Sequence, residues 1–226
     1  MATCKFCEDS GWALPTNGQG LCKSCEVVWE EEVSYNFQIA KDSLELASKT
    51  KKLGTMLSRL QLARDSFHEL LKYERRDIPT TQPPPSESIK TIETGRQKMV
   101  LEWVEQELVN ARLKSQTGTT PASKTRPYTK LLESFSAIYA ELDDVKEIEK
   151  RERAVRQEMD TVRLDVELER AEKAAFKGQK KRACDAYLDA LYLLRKDSIP
   201  DDQQRTQISE IESKIKELGG EIPPST

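Results

Sequence analysis

The sequence predicts an all-α protein of elongated helical hairpins and one coiled-coil-like long helix, preceded by a small cysteine-rich N-terminal module. Three observations support this prediction. Apolar residues recur at spacings of three and four along most of the chain, which is the periodicity of amphipathic helices. Charged residues make up 33% and aromatic residues 6% of the 226 residues, a composition that suits solvated helices better than sheets. Four of the five cysteines lie within the first 25 residues.

The charge balance excludes a strongly basic, chromatin-type protein. Lysine and arginine number 36 against 39 aspartates and glutamates, so the net charge is -3 and no chain-wide positive field favours nucleic acid or anionic lipid. No apolar run approaches the roughly 18 residues that a membrane-spanning helix needs. The first residues lack the basic and apolar regions of a signal peptide, and we therefore expect a cytoplasmic protein.

The cysteine spacing predicts a metal site within residues 1–28. Cys4-x2-Cys7 and Cys22-x2-Cys25 form two pairs, and in a chain without an export signal such pairs are better explained by thiolate coordination than by disulfides. We predict that these four cysteines bind one structural Zn²⁺. Because a closed four-cysteine site leaves no position for water or substrate, the ion is expected to stabilise the fold and not to catalyse. Reactive dithiols or an iron–sulfur centre are the alternatives.

The residues around the cysteine pairs follow a known pattern. Asn17-Gly18 and Gly20 supply the turn that a short hairpin between the pairs needs. The second pair leads directly into a helix that starts near Glu26. The module therefore resembles the zinc-ribbon and treble-clef families, and the helix favours the treble-clef arrangement, in which the last ligands sit at a helix N-terminus. Trp12 is expected to pack on the helical body, with anchoring of a partner as the alternative.

The charge of the module favours a protein partner over nucleic acid. Residues 1–32 hold two lysines against six acidic side chains, a net charge of -4. One Zn²⁺ bound by four thiolates would add further negative charge, because four thiolates outweigh the two positive charges of the ion. Phosphate groups would be repelled by both contributions.

Residues 29–76 carry two apolar stripes that are interrupted around residues 51–54. The interruption fits either a tight turn between two helices or one long bent helix, and we favour the turn. Three consecutive prolines predict a stiff, extended linker over residues 77–87. A helix over residues 88–114 follows the linker.

The second half of the chain predicts a basic loop over residues 115–127, then a long helix with a C-terminal hairpin over residues 128–218 and a tail over residues 219–226. Residues 129–176 hold no proline or glycine, and an unbroken helix of that length would span about 70 Å. Two heptad-like stretches flank the charged residues 149–153, so a coiled coil and a bundle helix both fit. The helix could pack within the chain or pair with a second copy as a homo-oligomer.

Two basic clusters are the candidates for nucleic-acid contact. The first cluster surrounds the predicted loop and comprises Arg112, Lys114, Lys124, Arg126 and Lys130. The second cluster lies at a helical turn and comprises Lys177, Lys180, Lys181 and Arg182. In a chain so rich in charge, such clusters are more often solvated helix faces.

Small residues recur at regular intervals in the C-terminal hairpin. A small-small-small-aromatic-small pattern is formed by Ala171, Gly178, Ala183, Tyr187 and Ala190. This pattern resembles one tetratricopeptide repeat, in which small residues let two antiparallel helices approach closely. The peptide-binding role of that family is only weakly implied, because a single repeat cannot build the concave groove of an array. Similar Ile-Pro helix ends at Pro79 and Pro200 leave open whether two hairpins arose by duplication.

The sequence offers no catalytic constellation. The single histidine, His68, lies on a helix with no nucleophile motif, phosphate-binding loop or dinucleotide fingerprint in the chain. We therefore predict a non-catalytic adaptor or scaffold that uses its zinc finger and helical body for protein–protein interaction. The alternative is a nucleic-acid-associated regulatory factor that binds through the basic helix and loop clusters.

Overall fold

The computed structural model of the chain describes four stretches: residues 2–12, 14–142, 144–197 and 199–223. Of the described residues 74% are helical, and the seven helices and the tiny two-stranded sheet that they form confirm the predicted all-α class. The chain divides into two compact units, Met1–Trp103 and Val104–Thr226. None of the helices in the described stretches combines the length and apolar character that crossing a bilayer requires.

The first unit opens with a small antiparallel sheet of two strands, β1 (Ala2–Thr3) and β2 (Ser10–Gly11). Ala2 pairs with Gly11 and Thr3 pairs with Ser10. Because each strand has only two residues, the sheet serves to close the loop between them and cannot form a core of its own.

Three helices follow: α1 (Lys23–Lys49), α2 (Leu53–Glu74) and α3 (Pro85–Gln116), of which α3 continues across the boundary between the units. Helix α1 ends at Lys49, the next residue, Thr50, is extended, and α2 begins at Leu53. Residues 29–76 therefore lie in a hairpin and not in one bent helix, and α1 begins inside the predicted module.

The α1–α2 hairpin is held by small and apolar residues from both helices. The fully buried members of this seam are Ala40, Ala47, Leu60, Ala63 and Leu70. Alanine at facing positions allows close approach of the two helices, while leucine fills the space beside it. The predicted linker over residues 77–87 is shorter in the structure, because α3 already begins at Pro85, and proline is tolerated in the first turn of a helix.

In the described part of the second unit the end of α3 is followed by four helices: α4 (Pro121–Tyr139), α5 (Lys146–Phe176), α6 (Lys180–Lys196) and α7 (Arg205–Glu217). Each packs against the next one along the chain. The prediction of one unbroken helix over residues 129–176 is wrong. The chain turns between α4 and α5, where the Asp144 carboxylate accepts a hydrogen bond from the Lys146 backbone N–H at 3.3 Å and so favours a new helix start.

The predicted basic loop over residues 115–127 is also too long. Helix α4 begins at Pro121, and Thr120 and Ser123 form a reciprocal cap in which each side-chain oxygen accepts a hydrogen bond from the backbone N–H of the other residue. Pro127 lies inside α4. Only residues 117–120 connect the two helices, because proline at the first helical position and a capping box together start α4 early.

Helices α4 and α5 run antiparallel, and their heptad positions are used inside the chain. The buried positions are Leu131, Phe135 and Ile138 of α4 and Val155 and Met159 of α5. Tyr139 bonds to Glu152 at one end of the pair, and Lys124 bonds to Glu169 at 3.0 Å at the other end. These contacts fix the register of α4 on α5.

The α5–α6 hairpin has a narrow seam of buried alanines, among them Ala171, Ala183, Ala186 and Ala190. Gly178 makes the turn between the two helices with a φ of 69°, a value that costs glycine little. Helix α7 closes the unit by burying Ile211 and Ile215. After α7 the backbone at Gly220 lies so close to α6 that an added Cβ would stand 2.2 Å from the Cys184 sulfur.

Candidate metal centre

The first cysteine pair lies in the tight turn between β1 and β2. The Cys4 backbone N–H donates to the Asp9 carbonyl at 2.9 Å, and the Glu8 N–H donates to the Cys4 carbonyl at 3.0 Å. Glu8 adopts a left-handed conformation with a φ of 63°, which folds the chain back on itself. The turn therefore directs the Cys4 and Cys7 sulfurs to one side.

The second pair lies at the start of α1 and is prepared by a turn at Asn17. The Asn17 Oδ1 atom accepts hydrogen bonds from the backbone N–H groups of Gln19 and Leu21 at 3.0 and 2.9 Å. Its Nδ2 atom donates to Glu26 at 2.8 Å, which joins the turn to the first turn of the helix. Cys22 immediately precedes α1, and Cys25 lies within the first turn.

The four sulfurs form a compact cluster. All Sγ atoms of Cys4, Cys7, Cys22 and Cys25 lie within 4.8 Å of one another, and the Cys7 and Cys22 sulfurs are 3.9 Å apart. A tetrahedral Zn²⁺ site with Zn–S bonds near 2.3 Å has sulfur–sulfur edges of about 3.8 Å. The cluster thus fits the coordination of one metal ion by four cysteines, with a soft donor set typical of zinc.

The electrostatics of the cluster favour a cation among the sulfurs. Burial opposes ionisation of Cys4, but backbone N–H groups, including that of Cys22 at 3.3 Å, outweigh it and lower the pKa of Cys4 to about 6. Burial and the neighbouring cysteine sulfurs raise the pKa of Cys25 to about 12. One thiolate forms readily at neutral pH, whereas ionisation of all four sulfurs requires a positive ion to offset their mutual repulsion.

The cysteine module is attached to the open end of the α1–α2 hairpin, where α1 begins and α2 ends. The Phe6 ring stacks on the Tyr73 ring with centroids 5.0 Å apart. The Lys5 ammonium donates to the Asp77 carbonyl at 3.1 Å, and the Trp29 indole N–H donates to the Pro79 carbonyl at 3.0 Å. The segment that follows α2 is therefore held by both the module and α1.

Trp12 does not pack on the helical body, and that expectation is wrong. Its side chain is 92% exposed, whereas Leu21 is fully buried and Phe6 packs against Tyr73. These smaller side chains already occupy the contact between the module and the hairpin. Trp12 follows β2 and is left in solvent.

The structure brings only some of the predicted basic residues together. Lys124, Lys177 and Arg182 line one groove of the second unit, although they come from both predicted clusters. Arg112 instead bonds to Glu158, with an Nε–Oε2 distance of 2.8 Å. The other members of the clusters are exposed and do not line the groove: Lys114, Arg126, Lys130, Lys180 and Lys181.

Two further groove residues, Arg170 and Lys173, escaped the sequence analysis. They lie in a stretch where acidic and basic residues alternate, so no positive excess marks them. Arg170 and Lys173 lie three residues apart on one face of α5, and Lys177 directly follows the helix four residues after Lys173. The spacing of these basic residues is the sequence signal that could have identified Arg170 and Lys173 as groove residues.

The geometry defines a class of protein, a helical protein with an N-terminal four-cysteine cluster positioned to coordinate one metal ion. Comparison with known proteins finds no matching family model, curated protein or solved structure.

Proposed function

We propose that the chain is a non-catalytic adaptor whose N-terminal zinc finger presents Trp12 to a protein partner. The observation that carries this proposal is the 92% exposure of the Trp12 side chain on a small module tied to a helical hairpin. Tryptophan is strongly enriched among the residues that dominate binding energy at protein interfaces. A rigid support favours such a role, because little conformational freedom is then lost on binding.

Zinc is the metal proposed for the four-cysteine cluster. The sulfur separations fit a tetrahedral Zn²⁺ site, and the position of Cys22 and Cys25 at the start of α1 supports the resemblance to treble-clef fingers. So small a module lacks a sizeable core, and metal binding supplies its folding free energy. A reducing compartment such as the cytoplasm would keep the thiols available for the metal.

The surface of α1 supports a partner with basic and apolar character. Val27, Val28 and Tyr35 are 51%, 45% and 67% exposed on the first half of the helix. Glu30 and Glu31 are exposed among them. A partner segment that carries lysine or arginine beside apolar side chains would complement both features.

The helical body supports the scaffold role. The buried alanines of the α5–α6 hairpin and the turn at Gly178 are consistent with the resemblance to one tetratricopeptide repeat. A single repeat offers helix faces and no array groove, so the partner-binding surface is assigned to the finger and α1.

A tagged, zinc-loaded chain tests the proposal when it is used to isolate partners from the source cell. Wild type, Trp12→Ala and Phe176→Ala are compared by quantitative mass spectrometry. Phe176 is the matched control, because it is 94% exposed but lies in the second unit. We expect Phe176→Ala to retain the partner and Trp12→Ala to lose about tenfold or more of it, as expected for an interface anchor.

Metal content and circular dichroism should be unchanged in both variants, because neither side chain is buried. Equal recovery of every partner by wild type and Trp12→Ala would contradict the proposed role of the finger. Loss of the partner with Phe176→Ala alone would move the binding surface to the second unit.

A further inference from the structure

A groove in the second unit collects positive charge from three helices. Its volume is about 530 Å³. Its walls contain five basic residues: Lys124 of α4, Arg170 and Lys173 of α5, Lys177 of the turn that follows α5, and Arg182 of α6. Glu169 is the one acidic residue on these walls within the described part of the chain, so the groove has a net charge of +4.

The positive charge is only partly compensated by carboxylates. Glu169 is shared by Lys124, at 3.0 Å, and Lys173. Arg170 pairs with Glu167 at 3.0 Å and with Asp189 at 3.5 Å, two carboxylates outside the groove walls. Hydrogen bonds from these two lysines, Lys173 first, lower the pKa of Glu169 to about 2. Among the residues that the structure describes, neither Lys177 nor Arg182 has a carboxylate partner within ion-pair distance. Uncompensated charge therefore lies at the α5–α6 end of the groove.

The N-terminus of α4 adds to the same positive field. Thr119, Thr120 and Pro121 line the groove, so the positive end of the α4 dipole lies at its wall. The Thr120 side chain already accepts the Ser123 N–H, and Pro121 has no N–H to offer. Helix α4 therefore contributes its field, and the direct hydrogen bonds to an anion would come from the basic side chains.

The size and composition of the groove favour a compact ligand. Val166 and Ala174 add apolar surface beside the charges, and the volume falls within the roughly 300 to 1,000 Å³ of small-ligand sites. Arg126 and Lys130 are exposed on α4 but do not line the groove. The basic residues of α4 thus form no continuous track for a long nucleic-acid strand.

We propose that this groove binds a small molecule that carries two or more linked phosphate groups. The positive charge of the groove is opposite to that of an oligophosphate. Lys177 and Arg182 can contact the ligand without breaking an ion pair, and Arg182 would exchange only its hydrogen bond to Gln179. Arg182 offers a planar guanidinium that can hold two phosphate oxygens at once. The same chemistry is present in inorganic triphosphate and in nucleoside triphosphates. The proposal is independent of the adaptor role of the finger.

Titration calorimetry on the full zinc-loaded chain tests the proposal, with inorganic triphosphate and ATP as probes in metal-free buffer. The double variant Lys177→Ala/Arg182→Ala should weaken binding of triphosphate by about tenfold or more. The matched control Arg126→Ala/Lys130→Ala removes the same charge from the same unit but not from the groove, and it should bind as wild type does.

Glu169→Gln should tighten binding, because it removes the negative charge from the groove and releases Lys124 and Lys173. A merely structural role for this ion-pair network would not produce tighter binding. Equal weakening by both double variants, or an absence of binding by wild type, would overturn the proposal.

The two probes separate the possible sources of the phosphate groups. Equal affinity for triphosphate and ATP would show that the phosphate chain alone is recognised, whereas tighter binding of ATP would add contacts from the nucleoside. A single-stranded oligonucleotide serves as the third probe. If it bound more tightly than either small molecule and lost this advantage in Arg126→Ala/Lys130→Ala, the groove would be part of a nucleic-acid surface and the proposal would be wrong.

Discussion

The two units contain antiparallel helix pairs but close them in different ways. In the first unit, the cysteine module is fixed to the end of the α1–α2 hairpin by the Phe6–Tyr73 stack and by the bonds of Lys5 and Trp29 to backbone carbonyls. In the second unit, helices α4 to α7 each pack on the next, and Ala171 and Ala183 are buried in the α5–α6 pair. Both units therefore contain closely packed helices, and the first carries in addition a four-cysteine cluster positioned for one metal ion.

Both units contain a glutamate that is bound by a tyrosine and by a basic side chain. Tyr73 donates to Glu32 at 2.7 Å, and Lys72 pairs with the same carboxylate. In the second unit, Tyr139 and Arg156 likewise bond to Glu152. A tyrosine hydroxyl and a cation thus bind one glutamate in each unit. The same substitution and the same change of pH can therefore be applied to both units and their effects compared.

Metal removal should produce the largest difference in stability between the two units. Because metal binding of order 10 kcal/mol organises such a module, a chelator or Cys22→Ser should unfold residues 2–22 and leave α4 to α7 intact. Hydrogen exchange followed by mass spectrometry measures this, since the N–H groups of Cys4 and Leu21 should lose their protection. Cys184→Ser is the control, because Cys184 lies outside the cluster.

Equal exchange of the module with and without chelator would mean that packing on the hairpin is sufficient to fold it. In that case the two units would differ in composition but not in their source of stability.

Overpacking the alanine seam of the α5–α6 hairpin should have the second-largest effect. Ala183 is fully buried, so Ala183→Leu should lower the free energy of unfolding by about 2 kcal/mol because the added atoms separate the two helices. Urea denaturation followed by circular dichroism gives this value. Ala175→Leu is the matched control, since Ala175 is exposed on α5 and the same substitution there should change little. A loss in Ala183→Leu no larger than in this control would show that the alanine seam is not tightly packed.

Removing the tyrosine hydroxyl that binds the glutamate in each unit should give the smallest effect on stability, and a similar one in both units. Burial would raise the pKa of each glutamate, but the tyrosine and the cation outweigh it and lower the pKa of Glu32 and of Glu152 below the usual 4.5. A lowered folded-state pKa stabilises the fold above pH 4.5, and this stabilisation is lost as the pH falls through the lowered value.

Tyr73→Phe and Tyr139→Phe should each cost about 1 kcal/mol at neutral pH and make stability less dependent on pH below 4.5. Urea denaturation at a series of pH values checks both effects. An unchanged pH dependence in either variant would show that the glutamate of that unit is held by its cation alone.

The helices and the cysteine cluster could be predicted because both follow from local spacing. Apolar periodicity identifies helix faces, and two C-x2-C pairs limit where four sulfurs can meet. The turn between α4 and α5 was missed because Ala140, Glu141 and Leu142 all suit a helix, while the decisive bond from Lys146 to Asp144 is a single local contact.

The exposure of Trp12 and the basic groove depend on tertiary packing. Trp12 is in solvent because other side chains occupy the contact with the hairpin, and no local pattern reveals that competition. Lys124 joins Lys177 and Arg182 only because α4 docks antiparallel on α5, and their separation of about fifty residues carries no sequence signal. Local rules therefore identified the elements, and long-range packing determined which charges meet.

Helix α1 should tolerate insertions and deletions poorly, because it connects two sites that must keep a fixed orientation. It carries Cys25 near its start and the hairpin residues Ala40 and Ala47 farther along. One residue inserted between them would rotate the alanine stripe by about 100° relative to the cysteine, so the module and the hairpin could not both keep their partners. Insertions and deletions between Cys25 and Ala40 should therefore be rare among variants of this chain.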